Sequence, residues 1–162
     1  PTAEVVGSLT TSRHIGVLAT SGTIKSESYK LEIQKLHPDC TVTGLACPMW
    51  VPIVENGEHD KPGADYFVRE RIETLLSVDP KIDTIILGCT HYPFIKSTVL
   101  RVIGKNAVLF DGGEGTARET LRQLIIYGYE RSPSQTADGE VVFINSSPTK
   151  DTSFMQKLYL AQ

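Results

Sequence analysis

Residues 84–87 read Thr-Ile-Ile-Leu, a run that is β-branched or apolar at every position and shows no polar alternation. A strand with one face in water alternates. One that is apolar on both faces belongs inside a parallel sheet covered on both sides. The run leads straight into Gly88-Cys-Thr-His-Tyr-Pro93 and then a helical stretch from Phe94 to Ile103. That order is what parallel strands require, because each crossover must return through a connection of helical size.

The same alternation recurs along the chain. Ile15-Gly-Val-Leu-Ala19 is a strand, turned by Thr20-Ser-Gly22 into a helix over Thr23 to Leu36, which His37-Pro38-Asp39 stops. Thr41 to Ala46 is a second strand. Pro48 suits the first turn of a helix carrying Trp50, Ile53 and Val54. The polar, turn-rich Asn56 to Gly63 precedes a helix from Tyr66 to Leu76. A strand from Ala107 to Phe110 and a helix from Thr116 to Tyr129 complete four alternations. They predict an α/β fold with a parallel four-stranded sheet and helices on both faces. A polar linker (Glu130–Gly139), one strand (Glu140–Asn145) and a helix (Asp151–Leu160) are expected to follow.

Composition removes several classes of function. The 162 residues suit one domain, or one domain with part of another. Sixteen Lys and Arg against nineteen Asp and Glu give a net charge of −3, so there is no basic field to attract nucleic acid or anionic lipid. No apolar run is long enough to cross a bilayer and no secretory leader opens the sequence, so a cytoplasmic protein is expected. Cys40, Cys47 and Cys89 form neither a disulfide framework nor a zinc-ligand spacing, and reduced thiols are expected. The chain starts at Pro1, and residues 1–13 read as a lead-in without a strand, as though part of something longer.

In open parallel sheets ligands bind at the carboxyl ends of the strands. Three loops fall there: Thr20-Ser-Gly-Thr23, Ala46-Cys-Pro48 and Gly88-Cys-Thr-His91. Cys89 sits between a buried strand and a helix start, where amides and the helix dipole favour thiolate; the plain alternative is a small buried hydrophobe. Cys47, between Ala46 and Met49, reads as structural, and Cys40 as incidental. His91, two residues from Cys89, could activate the thiol, ligate a metal or simply cap a helix. Thr20 and Thr23 offer hydroxyls to a carboxylate or phosphate, or serve only as a cap. Thr90 carries the same ambiguity, and Glu55 reads as a helix glutamate facing solvent. The glycines after Phe110 lack P-loop and dinucleotide spacing.

Taken together, Ile15-Gly-Val-Leu-Ala-Thr-Ser-Gly-Thr-Ile24, Ala46-Cys-Pro48 with Val51-Pro-Ile-Val-Glu55, and Leu87-Gly-Cys-Thr-His-Tyr-Pro93 resemble the second half of bacterial glutamate racemase in wording, order and spacing. The resemblance continues through Leu109-Phe-Asp111 and Thr116-Ala117. It implies two α/β domains facing across a cleft, no cofactor and no metal, and interconversion of L- and D-glutamate for peptidoglycan synthesis by two cysteines acting on opposite faces of the α-carbon. Cys89 would be one of the two. Thr90 and His91 would contact substrate, His91 also assisting proton movement with Glu55 as its partner. Thr20 and Thr23 would help hold the amino acid. The family's other cysteine loop, in the first domain, has no counterpart here. The expected organisation is a linker (1–13), the second racemase domain (14–110), and a segment (111–162) returning to the first domain, its strand and helices completing a mostly missing α/β unit. Such a chain would hold half an active site and be inactive alone. Leu121, Leu124 and Ile125 form an apolar stripe that invites self-association, a homodimer included. The related aspartate racemase and a non-catalytic small-molecule binding module are the other readings.

Overall fold

Four parallel strands form one sheet in the order β2-β1-β3-β4, with β1 at His14–Ala19, β2 at Thr41–Ala46, β3 at Thr84–Leu87 and β4 at Val108–Asp111. This computed structural model describes residues 2–129, 140–146 and 152–160. The two central strands are the apolar ones: β3 is buried at all four positions and β1 at five of six, whereas edge strands β2 and β4 are half-exposed.

Period-two geometry divides β1 between two layers. Ile15, Val17 and Ala19 join Val6 of α1 (Thr2–Leu9) and Ile33 of α3 (Ser28–Leu36) in one apolar cluster with Cys40 and Ile86. Gly16 points the other way, where a Cβ would lie 2.7 Å from Leu75 Cδ2 of α5 (Pro62–Val78). Only the missing side chain lets that helix lie so close. Each large aliphatic side chain buried here contributes about 1.5–3 kcal/mol.

Within the sheet the differences from the sequence reading are of one residue, β1 starting at His14 and β4 running from Val108 to Asp111; the larger ones fall outside it. The lead-in is a helix, α1, which packs on α3 and β4. The helix expected over Thr23–Leu36 is two, α2 (Ser21–Lys25) and α3, broken at Glu27, whose φ of 53° is left-handed. The segment after Cys47 forms the short α4 (Trp50–Glu55). The helix expected from Phe94 is a 3-10 turn, Tyr92–Ile95, running into α6 (Lys96–Ile103). The helix expected from Thr116 starts earlier, as α7 (Gly113–Ile126).

The chain divides into two compact units, one running to Gln123 and one starting at Leu124. Within the second, α8 spans Ser153–Leu160 and its Tyr159 ring meets Phe143 edge to face at 5.7 Å. Residues 140–146, where a strand was expected over Glu140–Asn145, carry no strand pairing among the described residues. The expected linker at 130–139 lies outside the described residues.

Candidate active site

The strand order contains one reversal. From β1 the chain crosses to β2 on one side, then returns over β1 to β3 on the other. The loops leaving β1 and β3 therefore stand at the carboxyl ends of two adjacent strands, the place where ligands bind in sheets of this kind. Thr20 and Thr23 follow β1 and Cys89, Thr90 and His91 follow β3, so the reversal brings together residues 66 or more positions apart in the chain.

Gly88 sets the spacing. Its N–H donates to the Leu18 carbonyl at 2.8 Å. A Cβ there would stand 3.1 Å from Ala19 Cβ and 3.0 Å from a ring carbon of Tyr29. The backbone can pass so close to β1 and α3 only because this residue has no side chain. On the other side of β1, the Cys47 N–H donates to the Ala19 carbonyl at 2.9 Å.

Cys89 is half-buried, and its Sγ lies 3.8 Å from His91 Nδ1. His91 Nε2 lies 3.4 Å from Glu55 Oε1, a carboxylate reaching across from α4. An Nε2–H directed at Glu55 leaves the Nδ1 lone pair facing sulfur, so the imidazole can take the thiol proton or hold a thiolate in place. Thr20 caps α2: its hydroxyl accepts from the Thr23 N–H at 3.4 Å and lies 3.0 Å from the Thr23 hydroxyl. Thr90 is exposed beside Cys89.

Cys47, read as structural, does not share this cleft with Cys89. Cys47 is 1% exposed, its Sγ directed at the Leu45 carbonyl, and burial pushes its thiol up to about 12. It is held inside because Tyr92, fully buried and edge-on to Trp50 at 4.9 Å, donates its hydroxyl to the Cys47 carbonyl at 3.2 Å. Cys40 is buried too, at the far end of β2. The helix-dipole argument for Cys89 also changes, since a four-residue 3-10 turn, not an α-helix, follows its loop.

Sequence reasoning placed Tyr29 only within the helix expected over Thr23 to Leu36. The structure puts its ring against Gly88, and burial, followed by the charge of Cys89, pushes its phenol above the ordinary range. The turn at Glu27 that starts α3 two residues earlier leaves no glycine in the sequence to announce it.

At the edge of the sheet, Lys96 Nζ donates to Asp111 Oδ2 at 2.8 Å and, with the Gly113 N–H, holds that carboxyl below the usual range. Among the described residues no group of three or more His, Cys, Asp or Glu could hold a metal ion, and no helix is long and apolar enough to cross a membrane.

No family model matches the chain. It is 41% identical over 127 residues to the glutamate racemase of Oceanobacillus iheyensis, covering 78% of this chain and 46% of that protein. With the glutamate racemase of Streptococcus agalactiae it shares 34% over 148 residues, 91% of this chain and 55% of the other. Among solved structures, glutamate racemase from Bacillus anthracis superposes with a TM-score of 0.70 at 33% identity, covering 78% of this chain and 47% of that one. The enzyme from Francisella tularensis, solved in complex with D-glutamate, gives 0.69 at 28% identity over 82% and 48%. The chain spans about half the length of the relatives it matches.

Proposed function

Over the part of their length that it spans, the chain belongs to the glutamate racemase family, and from that premise we propose that it forms one wall of a glutamate-racemising cleft with Cys89 as an acid/base at the α-carbon. The observation that carries the reading is the Cys89–His91–Glu55 series, 3.8 Å and then 3.4 Å, at the reversal point of the sheet.

Racemisation needs two groups, because a base that returns its proton to the face it came from restores the starting enantiomer. In the proposed reaction the Cys89 thiolate removes the α-proton of one enantiomer, or its thiol protonates the carbanion formed from the other. His91 holds the sulfur in the state the step requires, and Glu55 orients the ring. Thr20, Thr23 and Thr90 hold the substrate with hydroxyls and amides fixed before charge develops, which is where such donors are most effective. The two thiols carry the proton transfers, and the resemblance to the family implies neither metal nor cofactor.

The opposite wall and its cysteine come from a first domain, with residues 1–13 the connection to it, 14–110 the domain described here and 111–162 the segment that returns. That domain and glutamate are the partners, and the exposed Leu121, Leu124 and Ile125 are a surface for it or for a second copy. The protein works in the cytoplasm, in peptidoglycan synthesis. The relatives named above are glutamate racemases, which favours glutamate over aspartate.

The test is the circular dichroism of an L-glutamate solution. Protein extended to the relatives' length should erase the signal, and Cys89→Ser in that protein should preserve it. This chain alone should leave it flat. Undiminished racemisation by Cys89→Ser would overturn the assignment.

A further inference from the structure

The contact between Glu55 and His91 does not hold itself in place. The two atoms stand 3.4 Å apart on partly exposed side chains, and a pair of that kind contributes too little to fix the elements that carry it. Its geometry is set by whatever fixes α4 against the Cys89 loop. A six-residue helix with no side-chain cap at its start does not fix itself.

The tie lies beneath the pair. Tyr92 follows His91 directly and is fully buried. Its N–H donates to the Cys89 carbonyl at 3.1 Å, closing the turn that presents the thiol. Its hydroxyl donates to the Cys47 carbonyl at 3.2 Å, and that same carbonyl accepts the N–H of Trp50, the first residue of α4, at 3.2 Å. The Tyr92 and Trp50 rings meet edge-on at 4.9 Å, and Trp50 Nε1 donates to the Phe67 carbonyl of α5 at 3.3 Å. One side chain therefore joins the turn bearing Cys89 to the start of the helix that ends in Glu55. Phe94, two residues on, makes a contact beyond the other end of α4, edge-on to His59 at 6.2 Å.

We propose that Tyr92 is a positioning residue for the Cys89 thiol: its hydroxyl, bound to the carbonyl at the start of α4, keeps Glu55 within reach of His91 and so keeps the His91 Nδ1 lone pair turned toward sulfur. This rests on the reading of Cys89, His91 and Glu55 as a proton-transfer series and deepens it. Tyr92 is too deeply buried to touch substrate, so it acts through His91. What it secures is one tautomer of the imidazole, which the hydrogen bond at the other ring nitrogen selects.

Nitrogen NMR of the ¹⁵N-histidine-labelled chain reads that tautomer. In the neutral ring of the wild-type chain the His91 proton should sit on Nε2. Tyr92→Phe keeps the ring and removes the hydroxyl, and it should move His91 toward the tautomer mixture shown by Glu55→Ala. Added to Glu55→Ala it should change nothing further, because both act on one contact. Trp50, the chain's single tryptophan, reports by fluorescence that each variant is folded. In protein of the relatives' length, Tyr92→Phe should lower kcat for glutamate about three- to tenfold, the effect of one hydrogen bond, with KM within about twofold and no loss beyond that of Glu55→Ala when the two are combined. A His91 tautomer unchanged in folded Tyr92→Phe, or losses that simply add, would mean the hydroxyl only stabilises the fold, and the proposal fails. The NMR measurement involves no racemisation. A racemising Cys89→Ser protein would remove the proposed function, whereas an unmoved His91 signal removes only the role of Tyr92.

Discussion

The two ends of the sheet each carry a histidine beside a carboxylate, and they are built differently. At the amino end, His14 Nδ1 lies 2.7 Å from Asp79 Oδ2, with the two side chains 23% and 12% exposed. Asp79 also accepts from the Lys81 N–H at 3.1 Å and the Thr43 hydroxyl at 3.4 Å. At the carboxyl end, His91 and Glu55 stand 3.4 Å apart and are 27% and 40% exposed. The first pair is shorter, drier and tied to several neighbours. The second is looser, and the imidazole's other nitrogen faces a thiol. Hydrogen-bonding capacity spent at one end holds the sheet together; capacity left free at the other is available to a substrate.

The largest effect that could break this contrast is on activity. In protein of the relatives' length, Cys89→Ala should lower kcat/KM for glutamate on the order of 10²–10⁴-fold, the usual contribution of an acid/base group. Asp79→Asn, measured in parallel, should leave it within about twofold, about 0.4 kcal/mol on a scale where tenfold is about 1.4 kcal/mol. Comparable losses would mean that the ends are not functionally distinct.

Stability should respond in the opposite order. Asp79→Asn breaks a buried charge-assisted bond and should cost about 1–3 kcal/mol in denaturant unfolding of this chain. Glu55→Gln, at an exposed pair, should cost under about 1 kcal/mol.

Acid sharpens the comparison further. Asp83 accepts from the Thr10 hydroxyl at 2.5 Å and from the Thr11 and Ser12 N–H groups at 2.7 and 2.6 Å. Burial pushes its carboxyl up, but these bonds outweigh it and hold the group at about 2. An unfolded aspartate titrates near 3.9, so the unfolded chain takes up its proton first as pH falls. The stabilisation from Asp83 is complete above about pH 4 and drains away as pH falls toward about 2. Asp79, where the His14 and Lys81 bonds outweigh burial, is lowered in the same sense. Asp83→Asn should flatten that part of the stability–pH curve and cost about 1–2 kcal/mol at neutral pH, as loss of a capping carboxylate does. A curve as steep as wild type would show that the amino end is not the acid-sensitive one.

A last effect, also small, concerns the wall between the two carboxyl-end cysteines. Tyr92→Phe removes the donor to the Cys47 carbonyl and should lower stability by about 0.5–1.5 kcal/mol. Cys47 should then become measurably alkylated by iodoacetamide, which it resists in the wild-type chain.

Much of the sheet was legible because hydrophobic runs declare buried strands: β2 and β3 begin and end where their side-chain pattern does. The loops bearing Cys89, Thr20 and Thr23 were legible for a related reason, since parallel strands fix where loops must lie. Less visible was what depends on a single backbone angle or on distant packing. Nothing in Ser26-Glu27-Ser28 signals a left-handed residue, so neither the break between α2 and α3 nor the placing of Tyr29 could be read. Cys47 was read as structural, but the hydroxyl that seals it comes from Tyr92, 45 positions away. The roles of Asp79 and Asp83 had no signal in the sequence, because their partners lie on β1, β2 and the end of α1.

The central claim is that one sulfur, at the reversal point of the sheet, is presented for chemistry while the other two are sealed. Mass-spectrometric mapping of iodoacetamide uptake by the native chain tests this most directly. The account predicts modification at Cys89 well ahead of Cys40 and Cys47, which should react only when the chain unfolds. Modification of Cys47 or Cys40 as fast as Cys89 would contradict it.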